Sequence, residues 1–137
     1  MTRFNLSFCN EMASAALKHA DEIGKPISVA IVDSGGHLVC FKRSDNGKIA
    51  NISIAIDKAW TAVAFKDDTQ NYEERVLPGQ RAFGLQLTNN CRPVFIRGGL
   101  LIKIDDEIVG GIGVSGGTGD EDVACCKAGL NVMLQLK

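Results

Sequence analysis

The first part of the chain shows a helical and then a strand-like pattern of apolar residues. Over Leu6 to Ile23, apolar residues recur every three or four positions, which predicts an amphipathic helix. Gly24 and Pro26 end it, because glycine suits a helix C-cap and proline cannot continue a helix. Ile27 to Val32 is a short apolar run rich in β-branched residues and predicts a buried strand.

The middle of the chain predicts a hairpin, a helix and a long polar segment. Asp33-Ser34-Gly35-Gly36 has turn composition, so the next strand is expected to pair with the first. Alanines and branched apolar residues share one stripe of the second helix. The predicted elements are a strand over Leu38 to Lys42, a helix over Ile52 to Phe65, a loop over Asp67 to Gln80 with a helical turn over Tyr72 to Val76, and a short helix over Arg81 to Leu87.

The last third is rich in strands and ends in a helix. Its three apolar runs, separated by Gly-Gly and Asp-Asp-Glu turns, are Val94 to Ile96, Leu100 to Ile104 and Ile108 to Val114. A helix is expected over Asp120 to Leu136. The order predicts an α+β fold, a five-stranded antiparallel sheet flanked by helices, in a single domain over residues 1–137. Without regular strand–helix–strand alternation, a Rossmann fold is disfavoured.

Charge and composition narrow the range of partners. The 137 residues include 15 Lys and Arg against 16 Asp and Glu, a formal net charge of -1. No cationic excess favours nucleic acid or an anionic membrane, so neither is an expected partner. Met1 to Leu6 lacks the apolar run of a signal peptide, and no segment has the length of apolar residues that a membrane helix needs. The chain is expected to be cytoplasmic.

The cysteines agree with a reducing compartment. The chain has five cysteines, an odd number, and no two of them have the Cys-x-x-Cys spacing: Cys9, Cys40, Cys91, Cys125 and Cys126. They are expected to be reduced thiols, mostly in the core, and not to form a metal site.

Six glycines lie between Gly110 and Gly119, where a strand runs into the last helix. Backbone N–H groups at a helix N-terminus can cradle an anion. Here Asp120, Glu121 and Asp122 already complement the helix dipole and would repel a phosphate. The glycines are instead expected to allow a close approach by a neighbouring element, a second subunit or a flat ligand.

Three segments together resemble one known family. They are the hairpin from Val29 to Leu38, the Lys-Ala-Trp-Thr-Ala string at Lys58 to Ala62, and the glycine-rich segment from Val109 to Gly117. They resemble the GlcG/HbpS-like family, which includes the C-terminal domain of PduO-type proteins and small proteins of glycolate, diol and glycerol utilisation operons. Leu101 departs from the family pattern, because a proline is usual there.

The resemblance implies a profilin-like α/β sandwich that forms homo-oligomers. Some members bind haem or sense haem or redox state, and a histidine of the first helix is implied as the iron ligand. His19 occupies that helix, beside its apolar stripe. The alternative is a boundary histidine with one nitrogen in water. His37, next to a Gly-Gly turn, is expected to be a polar turn residue.

Further candidates lie on the second helix and in the glycine-rich segment. Lys58 could pair with Asp57 or Asp33, contact a ligand carboxylate or haem propionate, or reach solvent past the core. Ser115 and Thr118 could bind a small ligand or cap the last helix. The candidate cofactor-binding residues are His19, which is also the metal ligand, Lys58, Gly113, Ser115 and Gly116.

Two classes of function remain open. The first is an oligomeric protein that binds or senses haem or another tetrapyrrole. The alternative is an accessory protein or small-metabolite enzyme of a catabolic operon, without haem and with an operon enzyme as a partner. Gly113-Val114-Ser115-Gly116-Gly117 formally matches a nucleophile elbow, but 137 residues are too few for the hydrolase sheet that this motif requires. No catalytic residue is assigned.

Overall fold

A computed structural model describes the backbone of residues 3–135; the predictions that fall on Met1, Thr2 and Leu136 therefore lie outside the described residues. None of the helices in this range combines the length and the hydropathy needed to cross a bilayer. The elements are α1 (Leu6–Glu22), β1 (Ser28–Asp33), β2 (Leu38–Arg43), α2 (Ala50–Phe65), the 3₁₀ segments η1 (Thr69–Tyr72) and η2 (Leu85–Leu87), the short α3 (Thr88–Cys91), β3 (Gly99–Ile104), β4 (Glu107–Ser115) and α4 (Gly119–Gln135).

The strands form one antiparallel sheet in the order β2-β1-β4-β3. The two hairpins therefore join through β1 and β4, where Val29 pairs with Val114 and Ile31 pairs with Ile112. Asp33 holds the turn of the first hairpin, because its carboxylate accepts the N–H groups of Gly35 and His37 at 2.9 and 3.0 Å. The expected α+β fold with an antiparallel sheet between helices is confirmed.

Helices cover both faces of the sheet, and each face has its own core. Alternate residues of a strand point to opposite faces. Val29 and Ile31 of β1 therefore pack with α1 and α4, whereas Ala30 and Val32 pack beneath α2. The larger core lies on the α1–α4 face and the smaller one on the α2 face.

The prediction of a fifth strand over Val94 to Ile96 is wrong. Side chains take up the backbone groups that a strand would use: the N–H of Val94 donates to Thr61 Oγ1 at 3.0 Å, and the carbonyl of Ile96 accepts from Thr69 Oγ1 at 2.7 Å. Phe95 is buried, and its ring packs against those of Phe65 and Tyr72. This segment is consequently an anchored loop beside the end of α2.

The polar middle segment differs from its prediction in part. The helical turn expected over Tyr72 to Val76 is present, since the N–H of Val76 donates to the carbonyl of Tyr72 at 3.3 Å, and a 3₁₀ segment at Thr69–Tyr72 precedes it. The expected helix over Arg81 to Leu87 is reduced to one 3₁₀ turn at Leu85–Leu87. Asn89 and Asn90 then adopt left-handed backbone angles with φ values of 52° and 59°. Gly84 at the start of η2 is also left-handed, which explains why no longer helix forms.

The outer edge of β3 is capped by residues that follow α2. The N–H of Leu101 donates to Asp68 Oδ1 at 2.9 Å, and the N–H of Gly99 donates to Thr69 Oγ1 at 3.0 Å. A proline at residue 101, which the resemblance makes usual, has no N–H to donate. Leu101 therefore gives this chain an additional attachment between β3 and the segment after α2.

The glycines of β4 allow α2 to lie directly on the sheet. A Cβ at Gly111 would stand 2.7 Å from the carbonyl oxygen of Ala59, and one at Gly113 would collide with the carbonyl oxygen of Ala55. Of the three expectations for this segment, close approach by a neighbouring element is the one observed at these two glycines. A flat ligand or a second subunit does not reach them, because α2 covers them.

Candidate functional site

A cleft of about 680 Å³ opens where the loop after β4 meets the start of α2 and the start of α4. Its floor and walls include Asn51 and Lys58 of α2, Ser115 and Gly116 at the end of β4, and Asp122 of α4. Ser115 is the last residue of β4, and the glycines that follow it carry the chain into α4. The cleft therefore collects polar groups from three elements.

Lys58 forms the centre of the cleft floor. Its side chain is 1% exposed, and its Nζ donates to Asp122 Oδ2 at 3.1 Å and to the carbonyl oxygen of Val114 at 2.9 Å. Neither Asp57 nor Asp33, the two partners considered from the sequence, pairs with it: Asp57 accepts from Arg92 and Asp33 holds the hairpin turn. Lys58 thus joins α2 to the end of β4 and to α4.

Asp122 is buried with Lys58. Burial raises the pKa of its carboxyl, and this effect exceeds the opposing effects of the Lys58 ammonium and of the Gly117 N–H, which donates to Oδ1 at 2.9 Å. Both carboxylate oxygens are therefore engaged, one by a cation and one by a backbone amide. The ion pair is built into the fold and lies at the inner end of the cleft.

Ser115 and Asn51 form the second polar contact of the cleft. Ser115 is 5% exposed, and its hydroxyl donates to Asn51 Oδ1 at 2.9 Å. Asn51 lies in the first turn of α2 and is half-buried. The contact therefore links the beginning of α2 to the end of β4 across the mouth of the cleft.

The start of α4 is capped by its own side chains. Thr118 Oγ1 accepts from the N–H of Glu121 at 3.2 Å, and Glu121 Oε1 accepts from the N–H of Thr118 at 2.8 Å, which is a capping box. The hydrogen bond from the Thr118 N–H lowers the pKa of Glu121. Together with the Gly117–Asp122 bond, these contacts place carboxylates on the N–H groups of Gly117 and Thr118, where they would repel a phosphate.

An Arg97 bridge forms the outer rim. Its guanidinium donates to Glu73 Oε1 at 2.8 Å and to Asp120 at 2.7 Å, and its backbone N–H donates to Glu73 Oε2 at 3.0 Å. Burial alone would raise the pKa of Glu73, but the hydrogen bonds and charge of Arg97 together lower it. The bridge fixes the loop before β3 to the start of α4.

The structure brings together three of the five candidate cofactor-binding residues. Lys58, Ser115 and Gly116 line the cleft. Gly116 has a φ of 145°, and a Cβ there would lie 2.9 Å from the Cα of Ile27, so the position requires glycine. Gly113 is different, since it is buried under α2 and does not line the cleft.

His19 lies on the other side of the sheet, on α1. It is half-buried, and its ring forms no hydrogen bond or ion pair with any side chain within residues 3–135. Lys58 belongs to α2, which covers the opposite face. His19 and Lys58 therefore belong to helices that cover opposite faces of the sheet. His37 is exposed and stands 3.4 Å from Asp33, as expected of a turn residue.

Sequence reasoning missed the residues that complete the cleft. Asn51, Asp122 and the Arg97 bridge carry no local motif that reveals their partners. The Thr-Gly-Asp-Glu sequence at residues 118–121 does contain the capping-box pattern, and it identifies the helix start. Across residues 3–135, His, Cys, Asp and Glu side chains form no group of three suited to a metal ion.

The fold defines an α+β protein whose antiparallel sheet is covered by two helices on one face and one on the other. The model of the haem degrading protein HbpS-like family matches residues 4–131. The chain belongs to this HbpS-like family, and the resemblance to the GlcG/HbpS-like proteins is confirmed.

Individual relatives extend over almost the whole chain. An uncharacterised 15.0 kDa protein in the dhaT-dhaS intergenic region of Citrobacter freundii is 34% identical over 131 residues, which are 96% of this chain and 92% of that protein. The crystal structure of Klebsiella pneumoniae protein ORFY is similar with a TM-score of 0.94 and 34% identity, covering 98% of this chain and 92% of that one. A PduOC:haem complex is similar with a TM-score of 0.89 and 28% identity, covering 94% of each chain.

Proposed function

We propose that this protein binds haem, or a related tetrapyrrole, through His19. The observation that carries the proposal is the uncommitted, half-buried imidazole on α1. Support comes from membership of the HbpS-like family and from the similarity to a PduOC:haem complex. Imidazole is a common axial ligand of haem iron, and its nitrogen must be free of other partners to serve as one.

Two neighbours of His19 on the helix are suited to contact an apolar macrocycle. Ala15 and Ile23 lie four residues before and after His19, so they flank it on the same side of the helix. Ile23 is 36% exposed, and Ala15 adds no bulk beside the imidazole. When bound, haem supplies one-electron chemistry and exchange of an axial ligand at iron. His19 would hold the iron, and the small and apolar neighbours would contact the ring.

Association between copies would extend the apolar surface around His19. We propose a single-domain homo-oligomer in the cytoplasm, with an association to diol, glycerol or glycolate utilisation. The five cysteines are free thiols, which suits a reducing compartment. Lys58, Ser115 and Gly116 line the cleft, and the haem proposal assigns them no contact.

Titration with hemin, followed by the Soret band, tests the haem proposal. The wild-type protein is expected to shift the band to a saturable end point, and His19→Ala is expected to lose the shift. His37→Ala is the matched control, because this exposed histidine lies in the hairpin turn and should leave the titration unchanged. An identical titration in His19→Ala and wild type would overturn the assignment of His19.

A second candidate function is the binding or conversion of a small metabolite without haem. The specific observation in its favour is the cleft, where Lys58, Ser115 and Asp122 are polar and nearly fully buried yet line a space that is open to solvent. Buried polar groups that converge on a cleft are typical of a small-molecule site. This function would operate independently of His19.

A further inference from the structure

The charges of the cleft cancel one another. Its lining contains three basic and three acidic side chains. Lys58 is paired with Asp122, and Arg97 is paired with both Glu73 and Asp120. Lys48, the remaining basic residue, lies exposed at the rim. No excess charge therefore attracts a strongly charged ligand into the interior.

Acidic side chains already hold part of the backbone at the start of α4. The N–H groups of Gly117 and Thr118 donate to Asp122 and Glu121, and that of Glu121 donates to the Thr118 hydroxyl. These carboxylates, together with that of Asp120 in the same turn, would repel an entering phosphate or carboxylate. We therefore expect the site to disfavour anions, in spite of its glycines and its helix N-terminus.

The groups that remain uncommitted suit hydroxyl and carbonyl oxygens. Lys58 has three N–H donors and uses two within residues 3–135, which leaves one. The Asn51 amide nitrogen has no partner in that range, and Ser115 Oγ retains its capacity to accept. Ile54 and Ile96 add a small apolar area to the walls of the cleft. A ligand with several oxygens on a short aliphatic chain would satisfy these groups together.

A second serine continues this polar surface inward from the cleft floor. Ser28 is the register partner of Ser115 on the adjacent strand, so the two side chains are neighbours on the α2 face. Ser28 is fully buried, and its Oγ has no hydrogen-bond partner among the described residues. A buried hydroxyl without a partner is costly and unusual, which marks the end of β4 as a place with unused hydrogen-bonding capacity.

We propose that the cleft binds a small uncharged hydroxylated molecule, held by Asn51, Lys58 and Ser115. This inference rests on the second candidate function and names its ligand class. The ligand accepts from Lys58 Nζ and the Asn51 amide and donates a hydroxyl to Ser115 Oγ. Lys58 and Asp122 hold the floor in place, because their pairing ties α2 and α4 to the end of β4.

A set of three-carbon probes with matched skeletons and different charges tests the ligand class. Glycerol, glycerate and glycerol 3-phosphate share a skeleton and differ mainly in charge. Each is titrated into the ¹⁵N-labelled full chain to about 0.1 M, enough to saturate a millimolar complex. Glycerol is expected to shift the amide signals of Gly116 and Gly117 saturably and to bind more tightly than either anion. Ser115→Ala and Asn51→Ala should each lower the affinity for glycerol about fivefold, because each substitution removes one hydrogen-bonding group.

Ser14→Ala is the control, since this exposed serine lies on α1 and contacts Lys42, far from the cleft. It should bind glycerol like the wild type. Tighter binding of glycerate or glycerol 3-phosphate at the same amides would overturn the ligand class and leave the cleft a small-molecule site. If none of the three probes gives a saturable shift, both the ligand class and the assignment of the cleft as a small-molecule site are overturned. Equal glycerol affinity in wild type, Ser115→Ala and Asn51→Ala would overturn the proposed contacts.

Discussion

Lys58 Nζ and Asp122 Oδ2 lie 3.1 Å apart although 64 positions separate them in the chain, and both side chains are almost completely buried. The pair connects the two helices that enclose the cleft, because Lys58 belongs to α2 and Asp122 to α4. Lys58 also holds the carbonyl of Val114. Removing one partner would leave a charged or polar group without compensation in the interior.

We expect Lys58→Met to destabilise the protein by about 3–5 kcal/mol, because it strands the Asp122 carboxylate in a buried site. The double variant Lys58→Met/Asp122→Asn should lose less than the sum of the two single variants, with a coupling of about 2 kcal/mol. Urea unfolding of the wild type, the two single variants and the double variant gives the four free energies of this double-mutant cycle. Lys48→Met, at the exposed rim, should stay within about 0.5 kcal/mol of the wild type. Strict additivity in the cycle would show that the two side chains do not interact.

Gly113→Ala should be one of the most damaging single-methyl additions in the chain. The new Cβ would meet the backbone of α2 at Ala55 and Ala59, which cannot move without shifting the helix. Overpacking of this kind costs about 3 kcal/mol. At Gly35, a Cβ would meet the exposed His37 ring, which can rotate away, so Gly35→Ala should cost less than about 0.5 kcal/mol. Thermal or urea unfolding compares the stability of Gly113→Ala and Gly35→Ala. Equal losses of stability in the two variants would contradict the packing argument.

Thiol reactivity should divide the cysteines by exposure. Cys91 is exposed, whereas burial raises the pKa of Cys9 and Cys125 to about 11 and raises that of Cys126 further. Since the thiolate is the reactive form, a disulfide reagent should modify Cys91 rapidly and these buried thiols only on unfolding. Cys40, half-buried and with a raised pKa, should react more slowly than Cys91. A fast phase that persists in Cys91→Ser would refute this assignment.

The Arg97 bridge should make part of the stability dependent on pH. Arg97 lowers the pKa of Glu73 below the ordinary value of 4.5, so the folded state favours the ionised carboxylate. The resulting stabilisation is present above about pH 4.5 and is lost as the pH falls through the lowered pKa of the folded state. Urea midpoints from neutral pH to about pH 3 should therefore fall more steeply in wild type than in Glu73→Gln. Parallel pH profiles would exclude this contribution.

Local patterns predicted most of the fold because helix and strand periods are local properties. Four strands and the three long helices lie near their predicted positions. The false strand at Val94 to Ile96 has the right composition, but Thr61 and Thr69 occupy its backbone groups. Which distant side chain takes a backbone group is decided by tertiary packing, and a single sequence does not show it.

The candidate site was predictable only in part for the same reason. Lys58, Ser115 and Gly116 were singled out individually, and the structure places them around one cleft. Among the three acidic residues of α4, Asp122 pairs with Lys58, Asp120 with Arg97, and Glu121 caps the helix. Nothing in an Asp-Glu-Asp run assigns those roles. The separation of His19 from Lys58 likewise depends on which face of the sheet each helix covers.

The direct contact between α2 and the glycines of β4 has a consequence for molecular recognition. Because the backbones of α2 and β4 are in contact, α2 has little room to slide or tilt, so Asn51 and Ser115 keep their spacing in the absence of a ligand. On binding, a ligand would lose its own conformational and rotational freedom, whereas the protein would need little further ordering. Even a compound with only a few polar atoms can be retained under those conditions.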